Sequence, residues 1–78
     1  MKAIIVTKAN NRIEGKLCMV GDYIITLDVD KRNIDSQTIK DYYDEGLSAC
    51  EYSNDWHITV ARRKIESIEF IDQSETLG

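Results

Sequence analysis

Isoleucine dominates the apolar residues of this chain and no proline interrupts them: eleven isoleucines stand against four leucines, beside four valines and five threonines. Side chains branched at Cβ are stiff at χ1 and pack well on a pleated surface. Without proline, strands can pair along their whole length. The bias is towards sheet. The 78 residues allow one domain with a thin stability margin, since a domain of this size buries only about 60% of the surface its unfolded chain exposes. A hydrophobic fraction of 42% suffices for a core, so disorder is not expected. No apolar run is longer than the four residues of 3–6, far short of the ~18 residues of a membrane span.

Residues 2–8 read as a strand with Ile4 and Val6 inward, followed by a turn at Asn10-Asn11. From Arg12 onward, Ile13, Gly15, Leu17 and Met19 alternate with Glu14, Lys16 and Cys18, as in a half-buried strand. Gly21-Asp22 suits a two-residue type II′ turn into a strand over 23–29, where Tyr23, Ile25, Leu27 and Val29 share a face. The period then changes. Ile39, Tyr42, Tyr43, Gly46, Leu47 and Cys50 recur at helical spacing and predict a helix over about 36–50, with Asp35 or Ser36 as N-cap. Gly46 weakens such a helix by roughly 0.5–1 kcal/mol relative to alanine. An alternative therefore stays open, in which the helix stops near Glu45 and residues 47–52 form a strand.

Trp56, Ile58 and Val60 next alternate with His57, Thr59 and Ala61, and Arg62-Arg63-Lys64 breaks that strand. Ile68 and Phe70 fall in a last strand over 66–71, and residues 73–78 are expected to form a flexible tail. The expected fold is an α+β domain over residues 1–72. It has a mostly antiparallel sheet of about five strands, with one helix inserted between the third and fourth.

Catalytic chemistry finds no motif here. A nucleophilic cysteine needs a base beside it, and no local motif puts Cys18 or Cys50 next to His57, the single histidine. Structural zinc needs four nitrogen or sulfur ligands, mostly in close pairs, against three scattered candidates. Asp28-Val29-Asp30 opens like a calcium loop, but Arg32 and Ile34 stand where ligands or glycine are required. Four scattered glycines make no phosphate loop. No catalytic residue, metal or cofactor is expected. The cysteines form no Cys-x-x-Cys pair and no export signal is read, so a cytoplasmic protein with free thiols is expected.

Charge is more informative. The net charge is −4, and its distribution is uneven: residues 1–27 hold four basic and two acidic groups, residues 28–78 six basic and twelve acidic. Arg62, Arg63 and Lys64 are the one basic cluster, read as a phosphate contact or as a solvated strand break balanced by Glu66 and Glu69. Asp41, Asp44, Glu45 and Glu51 fall opposite the apolar stripe of the expected helix, with Asp28, Asp30, Asp35 and Asp55 near in sequence. Together they predict a negative surface that attracts basic partners and repels nucleic acid, or one that serves solubility alone. Tyr42 and Tyr43 cannot both point fully into a small core: either one is exposed beside Tyr52 in a protein-binding surface, where tyrosine anchors interfaces, or both rings flank the sheet.

Two resemblances follow. Residues 11–17 (Asn-Arg-Ile-Glu-Gly-Lys-Leu), 22–27 (Asp-Tyr-Ile-Ile-Thr-Leu) and 58–68 (Ile-Thr-Val-Ala-Arg-Arg-Lys-Ile-Glu-Ser-Ile) resemble the strand rhythm of Sm-like small β-barrels over about half the chain. This implies a ring-forming, RNA-binding barrel. No N-terminal helix or base-pocket motif accompanies it, and no RNA-binding residue is carried over. In size and composition the chain is also similar to acidic early host-takeover proteins of phages infecting Gram-positive bacteria. Some of those mimic DNA and occupy the DNA-binding surface of a host protein such as the histone-like protein HU.

The expectation that joins these readings is a non-enzymatic acidic protein-binding module, an inhibitor by DNA mimicry. Asp28, Asp30, Asp35, Asp41, Asp44, Glu45, Glu51 and Asp55 would meet a basic host DNA-binding protein, with no direct DNA or membrane binding. A homodimer is expected because association buries exposed sheet edges. The alternative is a small barrel binding RNA or a small nucleotide through Arg62, Arg63 and Lys64.

Overall fold

The computed structural model describes residues 1–71, so the tail expected at 73–78 lies outside the described residues. Six strands, one α-helix and two 3₁₀ turns follow in the order β1 (Lys2–Thr7), β2 (Arg12–Val20), β3 (Ile24–Asp30), a 3₁₀ turn (Lys31–Asn33), α1 (Ser36–Asp44), β4 (Ser48–Tyr52), β5 (Asp55–Ala61), a second 3₁₀ turn (Arg62–Lys64) and β6 (Ile65–Ile71). The strands form one antiparallel sheet in the order β4-β5-β3-β2-β1-β6. The fold is α+β, with the helix between the third and fourth strands as expected, and six strands rather than about five. Among the described residues no helix is long and apolar enough to cross a membrane.

Strand β2 serves two partners in succession. Its first half, Arg12–Lys16, pairs with β1, and its second half, from Lys16 to Val20, pairs with β3. The sheet bends where the partner changes, and glycine sits at that bend for a steric reason. A Cβ on Gly15 would lie 2.4 Å from the Asp28 carbonyl oxygen of β3. The bend brings the faces of the two halves together over a core of Ala3, Ile5, Ile13, Ile25, Leu27, Ile58 and Val60, each at most 1% exposed. Helix α1 closes the core with Ile39 and Tyr42.

Several expected details are corrected by register. In β1 the buried residues are Ala3, Ile5 and Thr7, and the expected Ile4 and Val6 are only half-buried. Both faces of this strand are apolar, so alternation gives no phase; the cross-strand partners Ile13 and Ile68 on either side of Ile5 set it. In β2 the alternation holds to Leu17, and a bulge at Cys18 then shifts the register so that Val20, not Met19, stands opposite Ile25. The same shift moves the turn. Gly21 N–H donates to the Ile24 carbonyl at 2.8 Å, so Asp22 and Tyr23 are the central residues. Among the described residues positive φ occurs only at Asn10, Gly46 and Ser53, so neither Asp22 nor Tyr23 has it, which excludes the type II′ geometry. Tyr23 consequently leaves the strand face and is 82% exposed.

The helix is shorter than 36–50 and follows the alternative reading. Asp35 is its N-cap, accepting from Thr38 N–H at 2.8 Å, and Asp44 is its last residue. Gly46 adopts φ 88° and donates to the Tyr43 carbonyl, while Leu47 N–H donates to that of Tyr42. This is a Schellman ending with glycine at the left-handed position. Gly46 therefore stops the helix, and the chain turns into β4.

Replacing Gly15 by alanine should lower the free energy of unfolding by about 2 kcal/mol or more, since β2 and β3 must separate to admit the methyl group. Urea unfolding measures this. An unchanged midpoint would show that the bend tolerates a side chain.

Candidate functional site

Five of the eight expected partner-binding carboxylates are engaged within the fold. Asp30 caps the first 3₁₀ turn and accepts from Arg32 Nε at 3.1 Å and Nη2 at 2.7 Å. Asp35 caps α1, accepting from both the amide and the hydroxyl of Thr38. Glu45 takes hydrogen bonds from Thr7 Oγ1 and Asn11 Nδ2, each at 2.7 Å. It therefore turns towards the β1–β2 connection instead of standing opposite the apolar stripe. Glu51 pairs with Lys31 at 2.6 Å. Asp28 Oδ1 lies 2.9 Å from His57 Nε2, without the alignment of a hydrogen bond, and this buried oxygen has no other donor.

The other three remain outside such pairs. Asp55 is half-buried and stands across from Asp30 in the β3–β5 register. Asp41 accepts from Gln37 Nε2, and Asp44 has no ion-pair partner among the described residues. Both lie exposed on α1, whose opposite side is anchored by Ile39 and Tyr42.

The tyrosines divide, one inward and one outward, in place of both rings flanking the sheet. Tyr42 is 3% exposed and donates its hydroxyl to the Arg12 carbonyl; burial pushes its phenol up from the ordinary range. Tyr43 is 51% exposed and donates to the Ala49 carbonyl of β4 at 2.8 Å, tying the helix surface to that strand. Tyr52, 63% exposed, stacks on His57 with ring centroids 4.7 Å apart. Asp41, Asp44, Tyr43 and Tyr52 thus lie exposed on α1 and on the strand tied to it.

A groove of about 940 Å³ opens beside the bend of β2 and is lined by both signs of charge. Lys2 and Arg12 are neutralised there by Glu14, at 2.7 and 2.9 Å, and Asp30 by Arg32. Such a lining creates no single-sign field for a phosphate. Among the described residues, no group of three His, Cys, Asp or Glu side chains is placed to hold a metal ion. The basic cluster is likewise partly occupied. Arg62 Nε donates to the Gly21 carbonyl and Lys64 Nζ to that of Glu45, and both hold the fold.

Two associations escaped sequence reasoning. Glu45 joins the helix end to the β1–β2 turn across 38 and 34 residues of sequence, to which no local pattern points. Cys50, read as part of a helix, is exposed on β4 and stands directly across from His57. The alternation of Ala49 and Glu51 with Cys50 and Tyr52 after Gly46 was its only local signal. No family model matches the chain, and neither a curated protein nor a solved structure matches it.

The capping roles make stability depend on pH. Hydrogen bonds from Arg32 hold Asp30 down to about 2, from an ordinary 3.8. Thr38 lowers Asp35, and Lys2 followed by Arg12 lowers Glu14. A carboxyl depressed by folding stabilises fully above its unfolded value and loses that contribution as pH falls through the folded one. The urea midpoint should therefore fall between pH 3.8 and about 2, and Asp30→Asn should flatten the decline. An identical decline in the variant would remove Asp30 from this account.

Proposed function

We propose that the chain is a non-enzymatic acidic binding module whose α1–β4 surface docks on a basic protein surface of the kind that otherwise holds nucleic-acid phosphates. The observation that carries this is the exposure of Asp41 and Asp44, with Tyr43, on a helix whose other side is fixed in the core. Carboxylates on a rigid element meet cations with little further ordering, and tyrosine supplies contact area at low entropic cost. The net charge of −4 adds steering towards a basic partner. A host DNA-binding protein of the histone-like HU type has the required chemistry, and the module would act as its inhibitor.

The proposal includes a homodimer. One edge of the sheet, β4, is partly occupied by the Tyr43 hydroxyl on the Ala49 carbonyl. The other edge, β6, carries no strand on its outer side among the described residues. Pairing of two β6 edges would satisfy those backbone groups and give the assembly a charge of −8, twice that of one chain.

A second reading keeps some support. The strands that carry the barrel-like rhythm, β2, β3, β5 and β6, lie with β1 in the contiguous order β5-β3-β2-β1-β6, and α1 and β4 are an addition at one side. In that reading Arg63 is the member of the basic cluster left for a phosphate, because Arg62 and Lys64 hold backbone carbonyls.

The double substitution Asp41→Lys, Asp44→Lys should abolish capture of a basic DNA-binding protein from nuclease-treated bacterial lysate, in a pull-down eluted by rising salt, while circular dichroism stays unchanged. Undiminished capture by the folded variant would remove the helix from the interface. Retention of RNA or a nucleotide instead, lost on Arg63→Ala, would favour the barrel reading. Light scattering should give twice the mass of one chain, and a monomer's mass would overturn the dimer.

A further inference from the structure

The face of the sheet away from α1 carries a row of reactive groups on three adjacent strands. Asp28 of β3 stands across from His57 of β5, and His57 stands across from Cys50 of β4. Directly opposed residues of antiparallel strands point to the same face, with Cβ atoms about 4.5–5.5 Å apart. His57 Nε2 lies 2.9 Å from Asp28 Oδ1, on the β3 side. Tyr52 packs on the ring with centroids 4.7 Å apart and limits its rotation. The thiol of Cys50 is exposed.

We propose that Cys50 is a thiol-exchange site for small disulfides, with His57 as the acceptor of its proton and Asp28 as the residue that positions His57. A small rotation of the ring that aligns Nε2–H on the Asp28 oxygen 2.9 Å away favours the tautomer that carries its proton there and leaves Nδ1 as the acceptor. His57 Nδ1 takes the Cys50 proton, and the thiolate attacks one sulfur of the disulfide. A new S–S bond forms on Cys50 as the old one breaks. The electron pair goes to the departing sulfur, which receives the proton from the imidazolium. Cys50 is oxidised to a mixed disulfide and half of the small disulfide is reduced to a thiol. The site lies on β4 beside the docking surface proposed above, but it does not rest on that reading, because its test reads thiol chemistry alone.

Cys18 supplies an internal control, since it is also exposed and is the only other cysteine. The probe is dithiodipyridine, a neutral disulfide that avoids repulsion by the acidic protein, and its released thione is followed by absorbance. At neutral pH, Cys50 in the Cys18→Ser protein should react about tenfold or more faster than Cys18 in the Cys50→Ser protein. In the Cys18→Ser background, His57→Gln should reduce Cys50 to the Cys18 rate, and His57→Ala should recover speed when free imidazole is added. Nitrogen NMR of the His57 ring should show the Nε2–H tautomer, and its loss in Asp28→Asn. Equal rates for the two thiols in the unaltered framework, or a Cys50 rate indifferent to His57, would overturn the proposal.

Discussion

A single strand that must pair with two different neighbours organises this molecule. Strand β2 changes partner at Lys16, and the change is possible because Gly15 lets its backbone come within side-chain distance of the Asp28 carbonyl. A straight β2 would leave a flat sheet with one apolar face too broad for a nine-residue helix to cover. Bending it folds the β6-β1 half towards the β3-β5-β4 half, and each covers part of the other's isoleucine-rich face. Helix α1 then needs to contribute only Ile39 and Tyr42 to complete the enclosure. Its outer side is left free to carry charge.

That helix is held at both ends by side chains which composition alone would assign to the surface. Asp35 satisfies the first turn, and Glu45, just past the last, reaches back to Thr7 and Asn11. Lys64 closes the arrangement by donating to the Glu45 carbonyl, so the second 3₁₀ turn, the helix end and the β1–β2 turn are fixed together. Each charge used in this way is subtracted from the field available to a partner. The chain's acidic excess is thus partly an internal resource; in the docking proposed above Asp41 and Asp44 are the carboxylates that count, because neither ties the helix to another element.

These internal duties mark where sequence reading succeeds and stops. The β3 face from Ile25 to Val29, the β5 face, an N-cap at Asp35 or Ser36 and the break at Arg62-Arg63-Lys64 were legible, because each depends on a period or a cap within a few residues. The phase of β1 was not, since Ile4-Ile5-Val6 is apolar on both faces and its partners lie 8 and 63 residues from Ile5. The bulge at Cys18 was equally hidden: one extra residue in a ladder leaves the composition untouched while rotating Met19 and Tyr23 off the expected face. At Gly46 two readings fitted the same residues, and a left-handed φ decided for the shorter helix.

The outer face of the sheet shows how chemistry can arise from register alone. With one face committed to the core, alternation places every second residue of β3, β5 and β4 on the other, whatever its identity. Thr26 and Thr59 use that proximity for a hydroxyl pair at 3.0 Å. One step along the same strands, the same spacing brings a carboxylate, an imidazole and a thiol into line. Their separations in sequence, 29 residues from Asp28 to His57 and 7 from Cys50 to His57, match no local catalytic spacing. The row exists because Gly46 ends the helix early enough for Cys50 to join the sheet. Had the helix run to residue 50, the thiol would have turned into the apolar stripe, and His57 would have faced Asp28 alone.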